Sequence, residues 1–251
     1  MIIDISVTIP AYNEQDQIEP TVREALAVLA RTPGNHEIVV VDDGSKDGTW
    51  DVLQGLAARH PQLHLVRHDV NRGLPAAMQT LARTARGRYV MLIGADGQCR
   101  MSEIPRLLAA LERGHDLAIG VRRDKKYTPY RKLVSFAYNA LVALLWGRHF
   151  GDLGSIVMAK SSLWRQIPTH SDSAFAQAER ILIAYRNGAR IAQVPVEHHL
   201  RRSGVSSFSS PMSAVRALRD MLRFWLSPHS RHRLSEFHHQ TSLLNPLGGL
   251  A

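Results

Sequence analysis

The first 120 residues alternate without exception between short apolar runs and helical patterns. Runs rich in β-branched and aliphatic residues cover 5–9, 37–41, 63–66, 89–93 and 116–120. Between them, apolar residues recur at helical spacing, as Ile18, Val22, Leu26 and Leu29 do, and as Trp50, Leu53 and Leu56 do. Helices are expected over 18–29, 49–60, 75–86 and 103–113, the last capped by Ser102 and closed by Gly114. Parallel strands need a crossover, and a helix of this length supplies one. The alternation therefore specifies an α/β chain with a parallel, doubly wound sheet flanked by helices.

Three of the runs end in polar turns that carry acids. These are Pro10-Ala11-Tyr12-Asn13-Glu14, Val41-Asp42-Asp43-Gly44-Ser45 and Gly94-Ala95-Asp96-Gly97-Gln98. In an open parallel sheet the crevice past the carboxyl ends of the strands is where ligands bind. Carboxylates gathered there repel one another unless a cation or hydrogen-bond donors occupy the site. The expected occupant is a nucleotide with a metal.

Beyond residue 120 the pattern loosens. A basic loop runs from Val121 to Tyr127. Thr128-Pro129 then opens a helix to Trp146, with Arg131, Ser135 and Asn139 four apart on one stripe of an otherwise apolar surface. A strand is expected at 155–159, a helix at 175–187 and a strand at 189–197. The loop 198–207 is basic and contains glycine. A last helix, 211–226, sets Met212, Val215, Leu218, Leu222 and Trp225 on one face and Arg216, Arg219 and Arg223 on another. Such a C-terminal amphipathic helix suits either packing on the sheet or an anionic membrane interface, with a lean to the interface. Residues 1–227 are expected to form one domain and 228–251 a poorly ordered tail.

The formal charge of +9 favours an anionic partner. Nucleic acid is not expected, because the basic residues lack interleaved aromatics. One cysteine, Cys99, excludes an internal disulfide and suits a reducing compartment. The chain opens without a signal-peptide pattern, and 133–146 is too short to span a bilayer.

The three acidic turns, extended to Val41-Asp42-Asp43-Gly44-Ser45-Lys46-Asp47-Gly48-Thr49 and joined by Asn71-Arg72-Gly73-Leu74, carry a resemblance. In this order and spacing the sequence resembles the inverting nucleotide-sugar glycosyltransferases of the GT-A (Rossmann-like) fold, glycosyltransferase family 2. Within them it is most similar to the polyprenyl- or dolichyl-phosphate mannose and glucose synthase branch. The similarity runs over about residues 5 to 207.

The resemblance implies roles. Pro10, Ala11, Tyr12, Glu14, Asp42 and Asp43 hold the nucleotide, with Asp96. Asp96 and Gln98 hold Mg²⁺ or Mn²⁺ against the diphosphate. Arg122, Arg131, Ser135, Arg201 and Ser206 bind phosphate groups of donor and acceptor, and Gly204 lies among them. Asp96, Arg131, Ser135, Asp152 and Glu179 form the candidate catalytic set. The branch carries an acid two residues before Asp96, and Gly94 stands there instead, so the metal is expected to be held weakly.

A phosphate monoester has its second pKa at about 6 and is largely ionised near neutral pH, so as acceptor it needs no base. A hydroxyl acceptor would need one, and Asp152 and Glu179 are the candidates. Both residues fit equally well as structural groups, capping or pairing with an arginine. The expectation is sugar transfer from a GDP- or UDP-sugar to a polyprenyl phosphate, in the cytoplasm and peripheral on the inner face of the membrane. Transfer to a hydroxyl, and nucleotide-sugar binding without catalysis, stay open beside it.

Overall fold

The computed structural model describes residues 2–123, 129–197, 199 and 211–231. Their order is β1 (Ile5–Ala11), α1 (Gln15–Leu29), β2 (His36–Asp42), α2 (Thr49–Ala57), β3 (Leu63–Arg67), α3 (Leu74–Thr84) and β4 (Tyr89–Leu92). After these come α4 (Ile104–Glu112), β5 (Leu117–Arg122), α5 (Pro129–Trp146), β6 (Val157–Lys160) and α6 (Ser161–Gln166). The last are α7 (Phe175–Arg186), β7 (Ile191–Val196) and α8 (Pro211–Leu226).

The strands form one sheet in the order β3-β2-β1-β4-β6-β5-β7. Both faces are covered, which is why the strands read as continuous apolar runs. Along β2, Ile38 and Val40 meet α1, α2 and α4 side chains such as Ile18, Leu53 and Ile104. Val39 and Val41 join the opposite core with Met78, Leu81, Phe175 and Met221.

All strand pairs are parallel except those of β6, which runs against both β4 and β5. The sheet is mostly parallel, as the resemblance to the GT-A fold implies, with β6 reversed. The cause lies in the segment before β6. Asp152 is tied to Arg122 at the end of β5, and Val157 pairs with Leu92 at the end of β4. The chain thus reaches β6 from the carboxyl rim and can only run away from it.

Other differences are local. Ser102 is no cap: 101–103 form a 3₁₀ turn, and α4 begins after it with no side-chain cap. The six-residue α6 is too short to show a period in the sequence. The turn Pro228–Arg231 packs on α7 and α8, with Ser230 buried and its carbonyl accepting from Arg186 Nη1 at 3.0 Å. The packed domain therefore reaches 231.

On α8 the inward residues are Ala217, Met221 and Phe224, while Met212, Val215, Leu218, Leu222 and Trp225 stay exposed. The broad apolar face expected to pack on the sheet or meet a membrane is thus the outward one. Among the described residues no helix is long and apolar enough to cross a membrane.

Candidate functional site

β2, β1 and β4 are neighbours, so their carboxyl ends lie side by side, Ala11 opposite Asp42 and Thr8 opposite Leu92. The Asp43 N–H continues the ladder to the Ala11 carbonyl at 2.8 Å, and Ile93 N–H to Thr8 at 3.1 Å. Two strand spacings, about 10 Å, separate the ends of β2 and β4, from which Asp43 and the Asp96 turn follow.

The turn after β1 and the turn after β2 are laced together. Asn13 N–H donates to Ser45 Oγ, Lys46 N–H to Asn13 Oδ1 and Glu14 N–H to Thr49 Oγ1, each at 2.9 Å. Asn13 holds a left-handed backbone, φ 52°, where asparagine is among the few tolerated side chains. Pro10 is half-buried, Ala11 buried and Tyr12 open at 39% exposure. Asp47, just before α2, accepts from the Thr49 amide at 3.0 Å and from its hydroxyl at 2.5 Å. Burial pushes its carboxyl up, but Thr49 hydroxyl and amide donors outweigh that and hold it below its ordinary value.

The paired acids are engaged by the protein itself. Asp42 Oδ1 accepts from Ser45 N–H at 3.1 Å. Its Oδ2 lies 3.2 Å from Arg67 Nε, an ion pair without the alignment of a directed hydrogen bond. Arg67 stacks over Trp50 at 5.0 Å. Asp43 Oδ1 accepts from Arg72 N–H at 3.0 Å and lies 2.6 Å from His68 Nδ1; its Oδ2 accepts from Gly73 N–H at 2.7 Å. Gly44 has φ 69°, and any Cβ there would sit 2.5 Å from the Val70 carbonyl carbon. The turn after β2 and the 68–73 loop are one packed unit.

Asp96 differs. Its Oδ1 accepts from Gln98 N–H at 3.1 Å, and among the described residues no donor reaches Oδ2. The loop is held from behind by Thr21 Oγ1 on the Ala95 carbonyl at 3.0 Å, and by His199 N–H on the Gln98 carbonyl at 3.0 Å. Gly94 is exposed, and a Cβ on it would meet Asp96 Oδ1 at 3.5 Å, ordinary contact. A half-open carboxylate at an exposed turn, with room beside it, fits one oxygen ligand of a hard divalent cation that keeps phosphate and water as its others.

Across the rim, Arg122 binds both oxygens of Asp152 and also donates to the Gly154 carbonyl at 3.2 Å. Cys99 lies between the two sides, 3.9 Å from Ser155 Oγ. Burial pushes its thiol up, Arg122 pulls it back and Asp96 adds to the rise. Arg131 and Ser135 are half-buried in the first two turns of α5, and Asn139 Nδ2 donates to the Ser135 carbonyl at 2.7 Å.

Glu179 is wholly buried on α7, accepting from His170 and Ser171 N–H at 2.8 Å each. Asp152 and Glu179 are thus both held by protein groups, a guanidinium and two backbone amides respectively. Arg201, Gly204 and Ser206 lie outside the described residues.

Sequence alone assigns no role to His68, Ser45 or Thr80, which knit the corner together. Their one visible signal is position, polar residues within a few steps of a strand end or on the helix behind it.

The family model described as Glycosyl transferase family 2 matches residues 6–164. A dodecaprenyl-phosphate galacturonate synthase of Rhizobium johnstonii is 30% identical over 99% of this chain and 74% of its own length. An undecaprenyl-phosphate 4-deoxy-4-formamido-L-arabinose transferase of Edwardsiella ictaluri is 30% identical over 81% of this chain, which spans 62% of that relative's length. Among solved structures, glucosyl-3-phosphoglycerate synthase from Mycobacterium tuberculosis in complex with Mn²⁺, UDP and glucosyl-3-phosphoglycerate has a TM-score of 0.69. It is 20% identical and covers 88% of this chain and 79% of that one. The same enzyme with Mg²⁺ and UDP also scores 0.69. At this identity the match concerns the fold.

Proposed function

The chain belongs to glycosyltransferase family 2, and on that footing we propose that it moves a sugar, with inversion, from a nucleoside-diphosphate sugar to a polyprenyl phosphate. The observation that carries the reading is how the rim's acids are used. Asp42, Asp43, Asp152 and Glu179 are each engaged by protein donors or cations on both oxygens. Asp96 alone of these five keeps an oxygen with neither among the described residues. A hydroxyl nucleophile needs a positioned base, and neither candidate base stands unengaged. A phosphate acceptor arrives already ionised. The names of the two relatives, both polyprenyl-phosphate sugar transferases, point to the same acceptor class.

In this reading the laced β1 and β2 turns hold the nucleoside, with Pro10, Ala11, Tyr12 and Glu14 on one side and Asp42 and Asp43 on the other. Asp96, with Gln98 beside it, holds Mg²⁺ or Mn²⁺. When bound, such a cation offsets the charge that grows on the departing diphosphate. Arg122, Arg131 and Ser135, with Arg201 and Ser206, receive phosphate oxygens, a task suited to guanidinium forks. They bring a second anion to the anomeric carbon on the face opposite the leaving group.

We further assign the outward faces of α5 and α8 to an anionic bilayer surface. Leu133, Phe136 and Leu144 on α5, and Met212, Val215, Leu222 and Trp225 on α8, are 40 to 80% exposed. Arg216, Arg219 and Arg223 stand exposed on the same helix α8. An apolar stripe flanked by arginines matches acyl chains and acidic headgroups together. Co-sedimentation with anionic vesicles, and its loss in Leu222→Glu/Trp225→Glu, tests this.

The deciding experiment is a screen of UDP- and GDP-sugars against short-chain polyprenyl phosphate, with mass spectrometry of the product. The expected product is a glycosyl polyprenyl phosphate. Product formed only with hydroxyl acceptors would overturn the reading. A non-catalytic nucleotide-sugar binder is the second reading, favoured by Gly94. Nucleotide binding indifferent to Mn²⁺, with no turnover of any donor, would establish it.

A further inference from the structure

His68 stands one residue past β3 and is 5% exposed. Its N–H donates to the Asp42 carbonyl at 2.9 Å. Its ring bridges two other segments: Nδ1 lies 2.6 Å from Asp43 Oδ1, and Nε2 2.9 Å from Thr80 Oγ1 in α3. A carboxylate only accepts, so Nδ1 carries the proton, and in the neutral ring Nε2 accepts from the Thr80 hydroxyl. One imidazole thus joins the end of β2, the end of β3 and the helix behind them.

A carboxylate offers about four acceptor positions. On Asp43 three are taken, by His68, Arg72 N–H and Gly73 N–H. One acceptor position remains, on Oδ2. Its direction is set by the other three bonds, because together they stop the carboxylate from rotating. The two amides come from the end of the same loop, where Gly73 opens α3. His68 is the side-chain donor of the three, and its ring is fixed from its far side by Thr80 in α3.

We propose that His68 is a positioning residue for the nucleoside half of the donor. It orients Asp43 and the Arg72–Gly73 amides without touching the nucleotide. The proposal rests on the reading that the β1–β2 corner holds the nucleoside. It deepens that reading by naming a residue outside the contact set that governs base-side affinity and leaves the diphosphate side unchanged.

Two near-isosteric variants separate the two ring contacts. His68→Asn puts an amide nitrogen where Nδ1 stands and keeps the Asp43 bond. His68→Gln puts an amide group where Nε2 stands, which can bond the Thr80 hydroxyl through its oxygen or nitrogen, and keeps only the Thr80 bond. Calorimetric titration with UDP, GDP and, separately, pyrophosphate, all with Mn²⁺, reads the result on protein shown to be folded by its thermal melt. The expected loss for His68→Gln is about tenfold to a hundredfold in nucleoside-diphosphate affinity, the range for a hydrogen bond to a charged group. Pyrophosphate binding should be unchanged, and His68→Asn should bind near wild type. Equal nucleotide binding by wild type and His68→Gln overturns the proposal. So does a parallel loss of nucleotide and pyrophosphate, or a loss in His68→Asn as large as in His68→Gln, since each marks a general structural role. If wild type binds neither UDP nor GDP, the nucleotide reading falls first and takes this proposal with it.

Discussion

Arg122 grips Asp152 in a fork at the carboxyl rim, Nε to Oδ2 at 2.7 Å and Nη2 to Oδ1 at 2.9 Å. The two side chains are 10% and 5% exposed. A carboxylate held on both oxygens by a guanidinium is a poor proton acceptor, because protonation would break the pair. The same pair, with the Gly154 carbonyl at 3.2 Å from Nη2, fixes the orientation of Arg122.

The first prediction follows from that pair. Asp152→Asn should destabilise the fold by about 3 to 5 kcal/mol, the scale for breaking a nearly buried pair. In the folded fraction kcat should fall less than about a hundredfold, since removing a true general base costs about 10² to 10⁴. Glu179→Gln should behave likewise, because its buried oxygens receive the His170 and Ser171 amides. Urea melts and steady-state rates on the same preparations check both. A larger drop in kcat with an unchanged melt would make either residue the base.

Gly94 offers a gain-of-function test. A Cβ there meets Asp96 at ordinary contact distance and, chain neighbours aside, no other described residue within 4 Å. Gly94→Asp should add a second carboxylate beside the first and lower the Mn²⁺ concentration for half-saturation about tenfold, about 1.4 kcal/mol. Electron paramagnetic resonance of free Mn²⁺ reads this directly. No change in affinity would mean that Asp96 is not a metal ligand.

Asn13 tests the laced turns. Its φ of 52° costs an ordinary residue about 1 to 2 kcal/mol, and its Oδ1 accepts from Lys46 N–H. Asn13→Ala should lose both the backbone tolerance and the bond, and weaken nucleoside-diphosphate binding. Asn13→Gly keeps the backbone and loses only the bond, so its melt should lie between the other two. Equal melts for all three would contradict the account of this turn.

Acid should unfold the protein through two clips at the amino ends of the strands. Burial pushes Glu37 up, but the Ser6 hydroxyl and the Arg86 amide and guanidinium overcome it and hold the carboxyl below its ordinary 4.5. Asp116 is likewise held below 3.8 against burial, by Lys160 and Arg190. A depressed carboxylate binds fewer protons folded than unfolded. Its stabilisation is therefore complete above the ordinary value and is lost as pH falls through that value towards the folded one. Urea stability measured from about pH 7 down to pH 3 should drop steeply below about 4.5. Glu37→Gln should lower the neutral plateau and flatten the drop; an unchanged slope would remove Glu37 from the account.

Much of the fold is legible in the order of residues. Strands buried on both faces announce themselves as unbroken apolar runs, and α5 and α8 show where they begin because Pro129 and Pro211 mark first turns. The acidic strand ends also point to one rim, since parallel crossovers deliver every carboxyl end to the same side. What stays hidden depends on partners far along the chain. The reversed direction of β6 follows from where Asp152 is pinned, 30 residues from Arg122 in sequence. The periodicity of α8 marks one broad apolar stripe, but packing buries the smaller set Ala217, Met221 and Phe224 instead.

The site divides the same way. Residue order alone determined which side chains stand at the rim, because strand, turn and helix periods are local properties of the chain. Tertiary structure decided what each acid is doing there. Asp42 and Asp43 meet Arg67 and His68 from the neighbouring strand and its end, Asp152 meets Arg122, and among the described residues Asp96 accepts only from its own turn. A carboxylate's role is set by the donors within about 3 Å of it, and those donors are brought by packing across the sheet.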